Sequence, residues 1–377
     1  MPPSGIRRFF DMLAEMRDVI SLTIGEPDFT TPEPITRAAI DSLEAGETHY
    51  TANGGMIELR QLIADDLQAR YGVRYDPRTE LIITVGASEG LDATLRAVVN
   101  PGDEVIHHEP CFVAYGPCIT LAGGAPVAIP TTERNDFRLT AEMVEAAITP
   151  RTRAIFLGYP NNPTGAVLNR DELAAIGAVA ERHDLLVISD EIYEQLVYGE
   201  HRHTAFPSLP GMRERSVLIG GFSKSYAMTG WRIGYVAAPA ALMAGIAKVH
   251  QYGIMCAPTA AQHAAMEAIR SGAPHVAAMR AEYDRRRRLM TGRLNRMGLL
   301  CFEPDGAFYC FPNITASGLD DETFAQELLR EEKVAVVPGS AFGPSGAGHV
   351  RMCYATAYEE IVEAMDRLER FVERRRG

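Results

Sequence analysis

The sequence predicts an α/β fold: a mostly parallel seven-stranded sheet covered by helices, with a smaller α+β domain beside it. Three observations carry this expectation. The chain has 377 residues, more than one hydrophobic core usually organises, so two lobes are expected. In its middle, short runs rich in Val and Ile, often bounded by Gly, Pro or Asp, alternate with longer amphipathic runs. That alternation is the signature of strand–helix–strand units. After about Ala260 it gives way to one long helical region and a few short extended segments. The expected large domain spans 36–275. The smaller one combines 1–35 with 276–377.

The expected strands of the large sheet are Leu81–Val85, Glu104–His108, Pro126–Ile129, Ala154–Leu157, Leu186–Ser189, Val217–Gly220 and Ile233–Ala237. Helical stretches such as Glu89–Val99 and Arg170–Arg182 lie between them, which implies a sheet covered on both faces. Beyond Ala260 a helical region passes through Arg285–Arg288 towards Met297. Short strands are expected near Phe308–Phe311, Ala335–Val337 and His349–Cys353, and a helix over Glu359–Arg375 closes the chain. The run Arg285–Arg288 reads as a solvated helix face rather than a nucleic-acid patch, because the rest of the chain is acidic.

Net charge is −12, which argues against nucleic-acid partners and against anionic membrane surfaces. No apolar run reaches membrane-spanning length, and the first residues lack the apolar stretch of a secretory signal, so a cytoplasmic location is expected. Six cysteines, with no Cys-x-x-Cys pair or zinc-type His spacing, read as reduced core thiols; no metal site is expected. Lysine is scarce: only Lys224, Lys248 and Lys333 occur.

Ligands of open α/β sheets bind beyond the carboxyl ends of the strands. The residues immediately after each expected strand are therefore informative. Gly86-Ala87-Ser88-Glu89-Gly90 comes after the first and opens a helix, and exposed helix N-terminal amides with a serine hydroxyl suit a phosphate. Asn161-Asn162-Pro163-Thr164-Gly165 comes after the fourth, Asp190-Glu191-Ile192-Tyr193 after the fifth, and Gly221-Phe222-Ser223-Lys224 after the sixth. Each alone has a plain structural reading: a strand-to-helix turn, a Pro/Gly turn, a helix cap, a core tyrosine, an exposed lysine. Together they place an anion cradle, an amide, a carboxylate with a phenol, and an amine at four neighbouring strand ends. That set matches the needs of pyridoxal phosphate: a lysine to form a Schiff base, a carboxylate facing the ring nitrogen, neutral donors for the ring oxygen and an anion site.

The stretch Gly221-Phe222-Ser223-Lys224-Ser225-Tyr226-Ala227-Met228-Thr229-Gly230-Trp231-Arg232-Ile233-Gly234 resembles the cofactor-lysine signature of class I/II aminotransferases of fold type I. The resemblance extends over Gly25–Asp28, Tyr50, Gly86–Gly90, Asn162–Gly165, Asp190–Tyr193 and Arg351. It implies a homodimer with shared active sites and pyridoxal 5'-phosphate as cofactor. By that likeness Lys224 is the Schiff-base lysine and acid/base, and Asp190 the partner of the ring nitrogen. Asn162 and Tyr193 are donors to the ring oxygen, and Phe112 is the stacking aromatic. Arg232, Ser88 and the Ala87 amide are phosphate contacts, Ser223 is added to them because Gly221 lacks the usual hydroxyl, and Tyr50 reaches the phosphate of the partner subunit. Arg351 and Gly25, with Asn162, hold the substrate carboxylate.

The activity implied is ping-pong transfer of an amino group from an L-amino acid to a 2-oxo acid, plausibly 2-oxoglutarate, through pyridoxamine phosphate. A carbon–sulfur lyase or a non-catalytic binding module are the alternatives. Two departures stand out. Gly221 occupies a position where many members carry a hydroxyl. No Lys or Arg is assignable to a distal carboxylate. An apolar N-terminal group (Ile6, Phe9, Phe10, Met12, Leu13) that could cover the site suggests a broad, apolar-leaning donor range, with Arg7, Arg8 or a partner arginine as the route to accepting aspartate.

Overall fold

The computed structural model describes residues 18–376. The N-terminal residues 6–13, read either as core packing or as a cover over the site, lie outside the described residues. Twelve strands are described: β1 (Ile20–Ser21), β2 (Leu81–Thr84), β3 (Glu104–Glu109), β4 (Ala125–Pro130), β5 (Thr152–Gly158), β6 (Leu186–Asp190), β7 (Ser216–Gly221), β8 (Gly234–Ala237), β9 (Tyr309–Cys310), β10 (Val334–Ala335), β11 (Val337–Pro338) and β12 (Val350–Cys353). β2 to β8 form one seven-stranded sheet in the order β2-β8-β7-β6-β5-β3-β4. All its pairings are parallel except those of β8, which runs antiparallel to both β2 and β7.

Alternating side chains of these strands feed different cores, and both sets are apolar. Ile82, Val105, Phe156, Ile188, Ile219 and Val236 pack with Leu91, Leu95, Met243 and Ile246 of helices Gly86–Val98 and Ala240–Gly253. Ile83 and Leu218 point the other way, onto Ile63 and Ala264; Ile155, Leu157 and Val187 do likewise, onto Ile176 and Val179. A strand buried on both faces has no solvent side, which is why most of these runs are predominantly hydrophobic. Helix Arg170–Arg182 starts under a reciprocal cap: Asn169 accepts from the Asp171 and Glu172 amides and Glu172 accepts from the Asn169 amide.

The remaining strands form two small sheets. β1 pairs with β10, and β11-β12-β9 is antiparallel. The single strand expected over Ala335–Val337 is therefore two: the chain leaves one sheet at Ala335 and enters the other at Val337. Their core, including Leu22, Phe308, Tyr354 and Phe371, also takes in Tyr193 from beyond β6.

Three further expectations need correction. The run Arg285–Arg288 is not one solvated face. Helix Ala273–Arg296 turns Arg286 and Arg287 inward, where Arg286 bonds Asp28 and Glu282, and Arg287 bonds Asp284 and the Pro304 carbonyl. Of the six free cysteines, Cys118 and Cys256 are only partly buried; the other four lie in the interior. The four strand ends are not all neighbours, because β8 intervenes between β2 and β7. An antiparallel strand begins where its neighbours end, so β8 brings the residue two before its start, Arg232, to the same edge.

Candidate active site

At that carboxyl edge lies a cavity of about 300 Å³. Eleven of the twelve residues singled out from sequence line it: Gly25, Ala87, Ser88, Phe112, Asn162, Asp190, Tyr193, Ser223, Lys224, Arg232 and Arg351. The twelfth, Tyr50, lies outside and is 82% exposed in the single chain. Thr23, Tyr115, Thr229 and Tyr309 also line the cavity and were not expected from sequence.

Asp190 is the last residue of β6, and Gly158 of β5 faces it across the ladder. A side chain on Gly158 would overlap the Tyr115 hydroxyl; glycine there lets Tyr115 donate to Asp190 Oδ2 at 2.9 Å. Asp190 Oδ1 accepts the Ile192 amide at 3.2 Å. Burial still dominates and pushes the carboxyl up to about 6, against the pull of these two hydrogen bonds. A buried carboxylate of this kind calls for a cation or a donor on the cavity side.

Lys224 comes shortly after β7 and reaches across to donate from Nζ to the Gly25 carbonyl at 2.6 Å. Burial lowers its amine to about 8. Gly25 is glycine for a steric reason, since an added Cβ would stand 2.5 Å from the Tyr309 hydroxyl. That hydroxyl shares a 2.8 Å hydrogen bond with the hydroxyl of Tyr193.

Arg351 enters from β12. Its Nη1 donates to Asn162 Oδ1 at 2.9 Å and its Nη2 to the Thr23 carbonyl at 2.6 Å, with the guanidinium against the rings of Tyr309 and Phe342. Nε is buried and has no protein partner among the described residues. The bond to Asn162 fixes that amide with its oxygen towards Arg351, so its Nδ2 is available to a ligand. At the other end of the cavity Gly86 adopts φ +73°, and a side chain there would meet Arg232 Nη2 at 2.8 Å. The arginine thereby folds onto the first turn of helix Gly86–Val98, beside Ala87 and Ser88. Gly221, where many members carry a hydroxyl, is crowded: an added Cβ would lie 2.9 Å from Ile192 Cδ1 and 3.3 Å from Gly234 Cα.

These residues fit a phosphorylated pyridine aldehyde. An amine with a low proton affinity, a buried carboxylate short of a cation, an anion cradle and a guanidinium with an unused N–H share one cavity. The profile of aminotransferase class I and II matches residues 17–368 of the chain. A putative aminotransferase of Bacillus subtilis (strain 168) is 52% identical over 98% of this chain and 96% of its own length. An aspartate aminotransferase of Pyrococcus abyssi is 48% identical over 98% and 95%. The solved structure of an aromatic aminotransferase from Pyrococcus horikoshii superposes with a TM-score of 0.94 at 46% identity, covering 97% of this chain and 99% of that one. The chain belongs to the class I and II aminotransferases. It is an enzyme, an aminotransferase of the pyridoxal-phosphate-dependent kind.

The depressed lysine gives a direct test on the cofactor-free protein. Trace acylation across a pH series, read by mass spectrometry with Lys248 and Lys333 as internal references, should show Lys224 titrating near 8. Because its folded value lies below its unfolded one of 10.5, this group also makes stability rise with pH between the two. A Lys224 midpoint at 10.5 would contradict the burial argument.

Proposed function

We propose that the cavity binds pyridoxal 5'-phosphate and that the enzyme transfers the amino group of an L-amino acid to a 2-oxo acid in two half-reactions at one site, with 2-oxoglutarate as acceptor. The observation that carries this reading is the convergence of Lys224, Asp190 and Arg351 on one cavity. When bound, the cofactor supplies an aldehyde for the lysine amine and an electron-accepting ring. The chain supplies everything else. Asp190, held by Tyr115 and Ile192, is suited to keep a proton on the ring nitrogen, because its own charge lacks a counterion. Asn162 Nδ2 and the Tyr193 hydroxyl would donate to the ring oxygen, and Phe112 would pack against the ring. Ser88, the Ala87 amide, Ser223 and Arg232 hold the phosphate. Arg351 grips the substrate carboxylate with a charge-assisted contact, assisted by Gly25 and Asn162. Lys224, with an amine near 8, is poised at neutral pH to take the proton from the substrate Cα and return it.

Among the described residues the cavity is lined by no Lys or Arg beyond Lys224, Arg232 and Arg351. This supports a broad donor range that leans towards aromatic and aliphatic side chains. Relatives named for aspartate and for aromatic amino acids both occur at similar identity.

With amino acid and no acceptor, the loaded enzyme should release about one 2-oxo acid per subunit and stop, then resume when 2-oxoglutarate is added. Lys224→Ala should release none. Continuous release of pyruvate and ammonia would indicate a lyase and overturn the reading.

We further propose a homodimer in which the partner subunit's Tyr50 completes the phosphate site. Tyr50 is exposed in the single chain, and so are Ser88 and Arg232 at the anion end of the cavity. Mixing inactive Tyr50→Ala chains with inactive Lys224→Ala chains should restore activity, since one site of each mixed dimer carries neither lesion. No recovery despite subunit exchange would assign Tyr50 to its own chain.

A further inference from the structure

Glu89 poses an electrostatic problem for the proposed phosphate site. It stands in the first turn of helix Gly86–Val98, directly after Ser88. Its Oε2 accepts the Val85 amide at 2.5 Å, which closes the turn between β2 and the helix. A carboxylate suits a helix N-terminus, but next to a phosphate it is a like charge and opposes binding.

The answer lies on the neighbouring helix Ala240–Gly253. The His250 side chain is fully buried, and both of its ring nitrogens face acceptors. Nδ1 is 2.6 Å from Glu89 Oε1, and Nε2 is 2.7 Å from the Asn53 carbonyl. A carbonyl oxygen only accepts, and so does an ionised carboxylate. To satisfy both, the ring must carry two protons. We propose that His250 is a positioning residue for the anion site: as an imidazolium it neutralises Glu89 and ties the phosphate-binding turn to the loop that carries Tyr50. Burial opposes its charge, but the hydrogen bonds and charge of Glu89, with the Asn53 carbonyl, outweigh burial and raise the imidazole above its usual value.

The same loop is fastened elsewhere. Asn53 Nδ2 donates to the Met255 carbonyl, Gln262 Oε1 accepts the Met56 amide, and Thr259 donates to the His49 carbonyl. The backbone around Tyr50 is thus clamped while its side chain projects outward. Among these clamps, the His250 one connects directly to the phosphate-binding turn. His250 touches neither substrate nor cofactor in this scheme; it acts through Glu89 and Asn53.

The proposal rests on the phosphate assignment made above, so the experiment separates the two. The dissociation constant of pyridoxal phosphate, and of inorganic phosphate alone, is measured calorimetrically on cofactor-free protein. Failure of the wild type to bind either ligand would overturn the assignment and the proposal together. If the wild type binds, His250→Leu should weaken binding by about tenfold or more, because it leaves the Glu89 charge without a counterion in the turn proposed to hold the anion. His250→Leu with Glu89→Gln should recover most of that loss, although it restores no packing. The Michaelis constant for the amino acid at saturating cofactor should stay within about twofold, because the carboxylate clamp is elsewhere. Unaltered binding by His250→Leu, or a double variant as weak as the single one, would overturn the charge argument. Nitrogen-15 NMR of the wild-type imidazole gives a test that needs no variant: protons on both ring nitrogens at neutral pH are expected, and a bare nitrogen would overturn the proposal.

Discussion

The cavity is built around two ionisable groups that the fold buries together without letting them neutralise each other. Asp190 and Lys224 lie at the ends of adjacent parallel strands, yet each bonds neutral partners. The carboxylate takes Tyr115 and the Ile192 amide; the amine takes the Gly25 carbonyl. A direct ion pair would drive the carboxyl down and the amine up. Instead burial sets both, the carboxyl near 6 and the amine near 8. The carboxylate therefore keeps an unmet demand for positive charge, and the amine stays easily deprotonated. Those are the two properties that pyridine-aldehyde chemistry needs from a protein.

Small residues make this separation possible. Gly158 leaves space for Tyr115 to reach Asp190, and Gly25 leaves space for the Tyr309 hydroxyl while offering its carbonyl to Lys224. Tyr309 then joins two parts of the site, bonding Tyr193 and lying against the Arg351 guanidinium. Gly234, at the start of β8, packs so closely that a Cβ would meet the Ala87 nitrogen at 2.8 Å. Glycine there lets the turn that opens helix Gly86–Val98 lie against β8, the strand that Arg232 precedes.

All seven strands of the large sheet were legible: most are apolar because both faces are buried, the largely exposed edge strand β4 still carries Val127 and Ile129 between two prolines, and turn residues mark the ends. Residues at those ends, such as Asn162, Asp190 and Lys224, were legible for the same reason: position after a strand is a spatial statement. Tyr115 and Tyr309 were not. Tyr115 sits near Phe112 in sequence, at the start of helix Tyr115–Leu121, but its role depends on Gly158 leaving space for it at the end of β5. Tyr309 lies on a two-residue strand whose placement depends on long-range pairing with β12. The inward turn of Arg286 and Arg287 was hidden for a similar reason, since their partner Asp28 and the Pro304 carbonyl are distant in sequence or in another element. The antiparallel sense of β8 leaves no trace in its composition, and it alone explains how Arg232 reaches the site.

On the proposed reading, Asp190 is buried where it would face a cation on the bound ring. Asp190→Asn keeps the size and planar shape but removes the charge and turns one of the two acceptor oxygens into a donor. The most direct measurement is the single-turnover rate of this variant with cofactor and amino acid, compared with wild type at equal cofactor occupancy. The account predicts an unchanged fold and a rate lower by well over about tenfold, a barrier increase beyond ~1.4 kcal/mol. A rate within about tenfold of wild type would contradict it, and the buried carboxylate would then need another explanation.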